Sequence, residues 1–257
     1  MFPILFQLGP IPIHTYGALI AIGFLICVNI VKRLSIHDKL PVEKMLDLTF
    51  WGLLLGFLGA RILYIITRWS VFMEDPISMF KIWEGGLVFL GGPLMIVPVF
   101  YFYMKKHQLN FWRLSDVFFP GMVIGHAFGR LGCISAGCCY GRPTGSDWGF
   151  KFFSEQIDVS LRGVPLHPVQ LYEASALMVL FFGLLWVWKN KKFDGQVILT
   201  YFMVYPIIRS VVETFRGDSI RGFVIEGVLS TSQFLSILIF IGATAAMYLR
   251  LKAVRKT

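Results

Sequence analysis

The sequence predicts an all-α integral membrane protein, a single transmembrane domain over 1–257 with about seven helices crossing the bilayer. Three observations predict it. Charged residues make up only 15% of the chain against about 25% in soluble domains, while AVILMFWYC account for 56%, with a mean hydropathy of +0.68. Apolar runs near the about 20 residues needed to cross about 30 Å of hydrocarbon recur along the chain. The Lys and Arg residues fall in small clusters between those runs, so the net charge of +9 points to membrane topology and not to a nucleic-acid partner. Four cysteines exclude a disulfide scaffold.

In chain order the expected spans are 16–31, 45–67, 85–104, 116–137, 167–188, 196–215 and 229–249. The first is no cleaved signal peptide, because its basic pair, Lys32 and Arg33, follows the apolar run instead of preceding it. The third opens on a Gly-rich element, Trp83-Glu84-Gly85-Gly86-Leu87-Val88-Phe89-Leu90-Gly91-Gly92-Pro93. The fourth runs into the motif Gly125 to Arg142, where Gly125, Gly129, Gly132, Gly137 and Gly141 interrupt an apolar stretch at a density that allows close packing or a backbone lining a cavity. The fifth opens on His167-Pro168-Val169-Gln170-Leu171-Tyr172-Glu173, and the seventh runs into a basic tail.

Alternate connections carry fourteen and seven basic residues, the richer set including the C-terminal tail. By the positive-inside rule the N-terminus is outside and the C-terminus cytoplasmic. The polar elements then sit at the outer ends of their spans, which places a site near the outer leaflet.

Three of the 24 basic residues remain inside apolar runs: Arg61, Arg130 and Arg209. A guanidinium in hydrocarbon must be paired, face a polar cavity or reach the interface along its own stem. Arg61, near the end of its span, can snorkel. Arg130 and Arg209 lie too deep for that, so each is either a structural ion pair or part of a site. Of the acidic residues in or beside the spans, Asp47, Asp116, Glu173 and Glu213, the last is one helical turn from Arg209. Two converging arginines suit a phosphate, and an anionic phospholipid headgroup is the expected ligand. Fallback bases are His126, His167 and Tyr16, each also readable as a hydrogen-bonded structural group.

Cys133, Cys138 and Cys139 admit packing, a disulfide or redox role, or a nucleophile lowered in pKa by Arg130. Their Cys-x4-Cys-Cys spacing lacks the paired C-x2-C pattern, so no metal or other cofactor is expected. Cys27, alone in the first span, reads as packing.

Taken in order, Tyr16-Gly17, Trp83-x-Gly85-Gly86 leading to Gly91-Gly92, Asp116 before Gly129-Arg130-x-Gly132, His167-Pro168-x-Gln170-Leu171-Tyr172-Glu173, and Arg209-x3-Glu213-x2-Arg216 resemble bacterial prolipoprotein diacylglyceryl transferases. The resemblance covers 16–216. It implies a multi-pass enzyme of the bacterial inner membrane that moves the diacylglyceryl group of phosphatidylglycerol onto the lipobox cysteine of a preprolipoprotein, forming a thioether and releasing glycerol phosphate. Its partners are then phosphatidylglycerol, the lipobox peptide and membrane lipid. The resemblance carries Arg130 and Arg209 over as headgroup residues; with them, the residues expected to be catalytic are Tyr16 and Cys138, on their own chemistry, and those expected to bind substrate are Arg130, Arg209, Glu213, Arg216, Gly141, His167 and Asp116.

The chain departs from the family pattern in two places. Cys133, Ala136, Gly137 and Cys138 stand where the family usually has Asn, Asn, Gly and Glu, and Leu90 stands where it has a histidine. The Gly137-Cys138-Cys139-Tyr140-Gly141 run and Arg216-Gly217-Asp218 fit a cysteine-bearing branch. Two alternatives follow from the residues: a membrane thiol-disulfide redox protein using Cys133, Cys138 and Cys139, and a non-catalytic anionic-lipid binder or transporter.

Overall fold

A computed structural model describes residues 4–8, 11–81, 86–88, 90–153, 157–217, 222–225 and 227–254. Trp83, Glu84, Gly85, Phe89 and Asp218 of the sequence motifs lie outside the described residues. The chain is mainly helical: α1 Thr15–His37, α2 Val42–Thr67, α3 Trp69–Glu74, α4 Gly91–Lys106, α5 Phe111–Ala136, α6 Val169–Asn190, α7 Gln196–Glu213 and α8 Thr231–Val254. Three two-stranded antiparallel pairs accompany them: β1 Ile4–Leu8 with β2 Ile11–His14, β3 Phe150–Lys151 with β4 Pro165–Leu166, and β5 Phe223–Ile225 with β6 Leu229–Ser230.

Six helices among the described residues, α1, α2, α5, α6, α7 and α8, are long and apolar enough to cross a membrane. Between 11% and 39% of their most apolar windows is buried by protein, so most of that apolar surface needs lipid. The third expected span differs. Its helix, α4, has 16 residues, about 24 Å at 1.5 Å per residue, and falls short of about 30 Å of hydrocarbon. Three helices outrun the expected spans by a turn or more, α1 reaching His37, α5 starting at Phe111 and α8 reaching Val254, because polar residues at an interface continue a helix that hydropathy alone ends, whereas α6 and α7 keep within two residues of theirs.

The chain divides into two compact units, one of Met1–Ile30 with Ser115–Thr257, the other of Val31–Leu114. In the smaller unit α2 packs on α4 through glycines. A Cβ on Gly59 would collide with the carbonyl oxygen of Gly91, and a Cβ on Gly91 with that of Gly59, so the two backbones touch directly. Arg61 belongs here and is buried. Its guanidinium donates to the carbonyls of Ser78 at 2.8 Å, Gly86 at 3.0 Å, Met79 at 3.1 Å and Lys81 at 3.3 Å, and lies near the rings of Tyr64 and Phe72. Arg61 therefore ties down the segment between α3 and α4. Leu90, just before α4, is 59% exposed.

In the larger unit α5, α6 and α7 share a core of Val123, Ile124, Ala127, Leu177, Leu180, Phe181, Leu184, Val197 and Tyr201. The connection between α5 and α6 has its own small core of Tyr140, Phe152, Ile157 and Leu166. Leu161 and Val164 pack against it, so the connection is held by its own side chains.

Candidate functional site

The site is built from one face of each of three helices. On α5, His126, Arg130 and Cys133 recur at spacings of four and three; on α7, Tyr201, Tyr205, Arg209 and Glu213 recur every four; on α6, Gln170 and Glu173 are one turn apart. Glu173 is their common partner. Its side chain is 2% exposed, with Oε2 3.1 Å from Arg130 Nε and Oε1 3.7 Å from His126 Nε2. The Tyr205 hydroxyl donates to the same Oε1 at 3.1 Å. One carboxylate of α6 thus holds a cation of α5 and a hydroxyl of α7.

Arg209 forms the second ion pair, its Nη2 2.7 Å from Oε2 of Glu213. Both arginines are mostly buried, 17% and 16% exposed at the side chain. Nη1 of Arg209 is buried with no hydrogen-bond partner among the described residues. A buried guanidinium N–H left unpaired costs roughly 1–3 kcal/mol, and an anionic oxygen removes that cost.

Beyond the helix ends the backbone makes a junction. Gly141 N–H donates to the His167 carbonyl at 3.1 Å, His167 N–H to the Arg142 carbonyl at 3.1 Å, Arg142 N–H to the Phe215 carbonyl at 2.9 Å, and Gly217 N–H to the Tyr140 carbonyl at 3.3 Å. Segment 140–142 is therefore clasped between 165–167 and 215–217. Only glycine fits at 141: a Cβ there would lie 2.6 Å from both Cβ and the carbonyl oxygen of His167 and 2.7 Å from a methyl of Val169. The Gln170 amide, in turn, donates to the Cys138 carbonyl at 2.7 Å. The cysteine loop, the start of α6 and the end of α7 are fastened together by peptide groups.

The thiols follow from the same turn. Cys133 closes α5; the N–H groups of Gly137 and Cys138 return to its carbonyl at 3.0 and 3.2 Å, and Gly137 and Cys139 take left-handed backbone angles, φ +73° and +58°. This folds Cys133, Cys138 and Cys139 into a cluster whose Sγ atoms all lie within 4.8 Å of one another, a set able to hold a metal ion. The linear spacing hid that convergence, since it comes from the reversal after α5. All three are free thiols. Hydrogen bonds with Cys133 and Cys138 push the Cys139 thiol down, helped by the nearby Arg130 and Arg216 guanidinium groups, while those with Cys133 and Cys139 push the Cys138 thiol up.

The remaining expected site residues fall into two groups. Tyr16 packs on Gly132, a Cβ on which would lie 2.8 Å from its ring, and Tyr16 interacts electrostatically with Arg130 and all three thiols. Arg216 bridges to Gly141 through its backbone. His167 donates or accepts at Tyr172 Oη over 3.2 Å and is ringed by Trp148, Tyr172 and Phe215. Asp116 stands apart. It is fully buried fourteen residues before Arg130 on the same helix, about 21 Å along the axis. Its carboxylate accepts from the N–H groups of Gly195, Val197 and Ile198 at 2.9, 2.9 and 3.3 Å and pairs with Lys191 at 3.3 Å. It caps α7 and does not join Arg130 and Arg209.

Sequence reasoning passed over Glu173 as the hub and Tyr205 altogether. The four-residue ladder 201–205–209–213 and the Gln170–Glu173 spacing were the signals that could have found them.

Fold and site together define a multi-span membrane protein with two mostly buried arginines, each paired with a buried carboxylate. The family model for prolipoprotein diacylglyceryl transferase matches residues 3–249, and the chain belongs to that family. It is 35% identical over 243 residues to the phosphatidylglycerol–prolipoprotein diacylglyceryl transferase 2 of Clostridium perfringens, covering 93% of this chain and 91% of the relative. It is 33% identical over 240 residues to the like-named protein of Clostridium tetani, with 92% and 93% covered. With that of Bordetella parapertussis it shares 34% identity over 253 residues, 96% and 94% covered.

Proposed function

We propose that this chain transfers the diacylglyceryl group of phosphatidylglycerol to the lipobox cysteine of preprolipoproteins in the bacterial inner membrane. The observation that carries the reading is the pair Arg130 and Arg209, each held by a buried carboxylate, with Nη1 of Arg209 left over inside the site. The two guanidinium groups bind the phosphodiester. Their carboxylate partners fix the forks in place, so no reorganisation is needed when charge develops on the leaving glycerol phosphate. The acceptor thiol gives its proton to water, its sulfur forms the new C–S bond at the glyceryl carbon, the C–O bond to phosphate breaks, and that bond's electron pair leaves with glycerol phosphate. Family membership favours this chemistry over a thiol-redox role for the cysteines.

The test is transfer from phosphatidylglycerol to a lipobox peptide, followed by the thioether mass and by glycerol phosphate release. Arg130→Ala and Arg209→Ala are each expected to lower the rate by about 10²–10³ while the protein stays folded in the membrane. Arg209→Lys keeps the charge but loses the fork and is expected to recover little of it. Wild-type transfer by either alanine variant overturns the headgroup assignment. Lipid movement without glycerol phosphate release overturns the transferase reading in favour of a transporter.

A further inference from the structure

The three thiols are not accounted for by binding the headgroup. Packing needs small side chains at these positions but no convergence of three sulfurs, and a disulfide uses only two. Cys139, moreover, holds a non-glycine backbone at φ +58°, a conformation that costs about 1 kcal/mol and persists where the surroundings over-determine it. Its sulfur completes the trio, and Gln170 pins the loop at the Cys138 carbonyl over 2.7 Å.

Resting on the transferase reading above, we propose that Cys133, Cys138 and Cys139 bind Zn²⁺ through three thiolates and leave its fourth position for the thiol of the acceptor cysteine. Zn–S bonds of about 2.3 Å put tetrahedral ligands about 3.8 Å apart, so sulfurs already within 4.8 Å close on the ion by shifts of about 1 Å or less. Three protein ligands with one open position are the arrangement of a catalytic zinc site. Three thiolates and Zn²⁺ carry a net single negative charge, and the Arg130 and Arg216 guanidinium groups are the nearby counter-charge.

The reaction needs a thiolate, and the carboxylates of the site are poorly placed to make one: Glu173 and Glu213 are each engaged with an arginine. A thiol that coordinates zinc is deprotonated outright. On binding, the three protein thiols and the acceptor S–H release their protons to water. The zinc-bound acceptor sulfur then supplies the electron pair for the C–S bond, the C–O bond breaks, and glycerol phosphate departs with that bond's electrons. Zinc keeps its oxidation state, and the neutral thioether, a weaker ligand, leaves the fourth position open again.

The test uses the purified full-length chain in lipid nanodiscs. Co²⁺ alone, added to metal-stripped protein, is expected to give an intense near-ultraviolet thiolate charge-transfer band and tetrahedral visible bands, and Cys133→Ser, Cys138→Ser and Cys139→Ser each to weaken or abolish them. A lipobox peptide added in phosphatidylcholine nanodiscs that lack phosphatidylglycerol is expected to shift the visible bands, whereas its Cys→Ser version leaves them unchanged. In the unsubstituted protein, stripping the metal is expected to slow transfer about 30-fold at pH 7, the ratio set by an unperturbed thiol pKa of about 8.5. The stripped enzyme should recover about tenfold per pH unit up to that pKa, while the zinc-loaded enzyme stays flat. No thiolate band, no response to the cysteine peptide, or equal rates with and without zinc overturns the inference and leaves the transferase reading standing. A thiolate-bound Co²⁺ with no glycerol phosphate release under any metal condition overturns the transferase reading instead.

Discussion

Glu173 and Asp116 are both buried carboxylates on or beside the same bundle, and their partners separate their roles. Glu173 faces Arg130, His126 and Tyr205, groups with protons to share with a ligand. Asp116 faces three backbone N–H groups and Lys191. Asp116→Ala is expected to cost about 3 kcal/mol, since it leaves the buried N–H groups of Gly195, Val197 and Ile198 at the start of α7 without their acceptor. Thermal unfolding in detergent should show that loss, and the transfer rate per folded enzyme should stay within about twofold. A rate collapse in folded Asp116→Asn would instead place Asp116 in the chemistry. The difference between these two residues could not be read from the sequence. Arg130 and Arg209 were legible because a charge in an apolar run demands a reason, and Glu213 because it lies one turn from Arg209. Glu173 lies 43 positions from Arg130 and Asp116 lies 81 from Val197, distances that only the packing of α5, α6 and α7 closes.

At the scale of elements, the helices were legible and their fastenings were not. Hydropathy located the six long apolar helices because each must satisfy its own backbone in lipid. It gave no hint of the junction among 140–142, 165–167 and 215–217, which depends on peptide groups and not on side-chain character. Gly141→Ala tests that junction. Its methyl has to displace the His167 backbone, an overpacking worth about 1–3 kcal/mol, and should lower both stability and transfer by shifting the cysteine loop. Gly183→Ala, where a Cβ on α6 meets nothing within 4 Å, is the control and should leave both unchanged. Equal behaviour of the two variants would show that the junction does not position the site.

For the whole molecule, the distribution of charge predicts an orientation. Fourteen basic residues on one set of connections against seven on the other predict a cytoplasmic C-terminus and an external N-terminus, which requires an odd number of crossings. The parity rests on α4, whose 16 residues are the shortest of the helices expected to cross. Reporter fusions at both termini decide it: a C-terminal fluorescent protein should fold and fluoresce, and an N-terminal alkaline phosphatase should be active. Both termini on one side would mean that α4 does not cross.

The left-handed backbone at Cys139 has a consequence for how such a chain can change under selection. Glycine adopts that conformation without penalty, so Cys139→Gly is expected to leave the folded protein as stable as before or more stable by up to about 1 kcal/mol. Unfolding midpoints should rise or hold while metal-dependent transfer falls. A residue whose removal strengthens the fold is kept only by something other than the fold, and at this turn stability and chemistry pull in opposite directions.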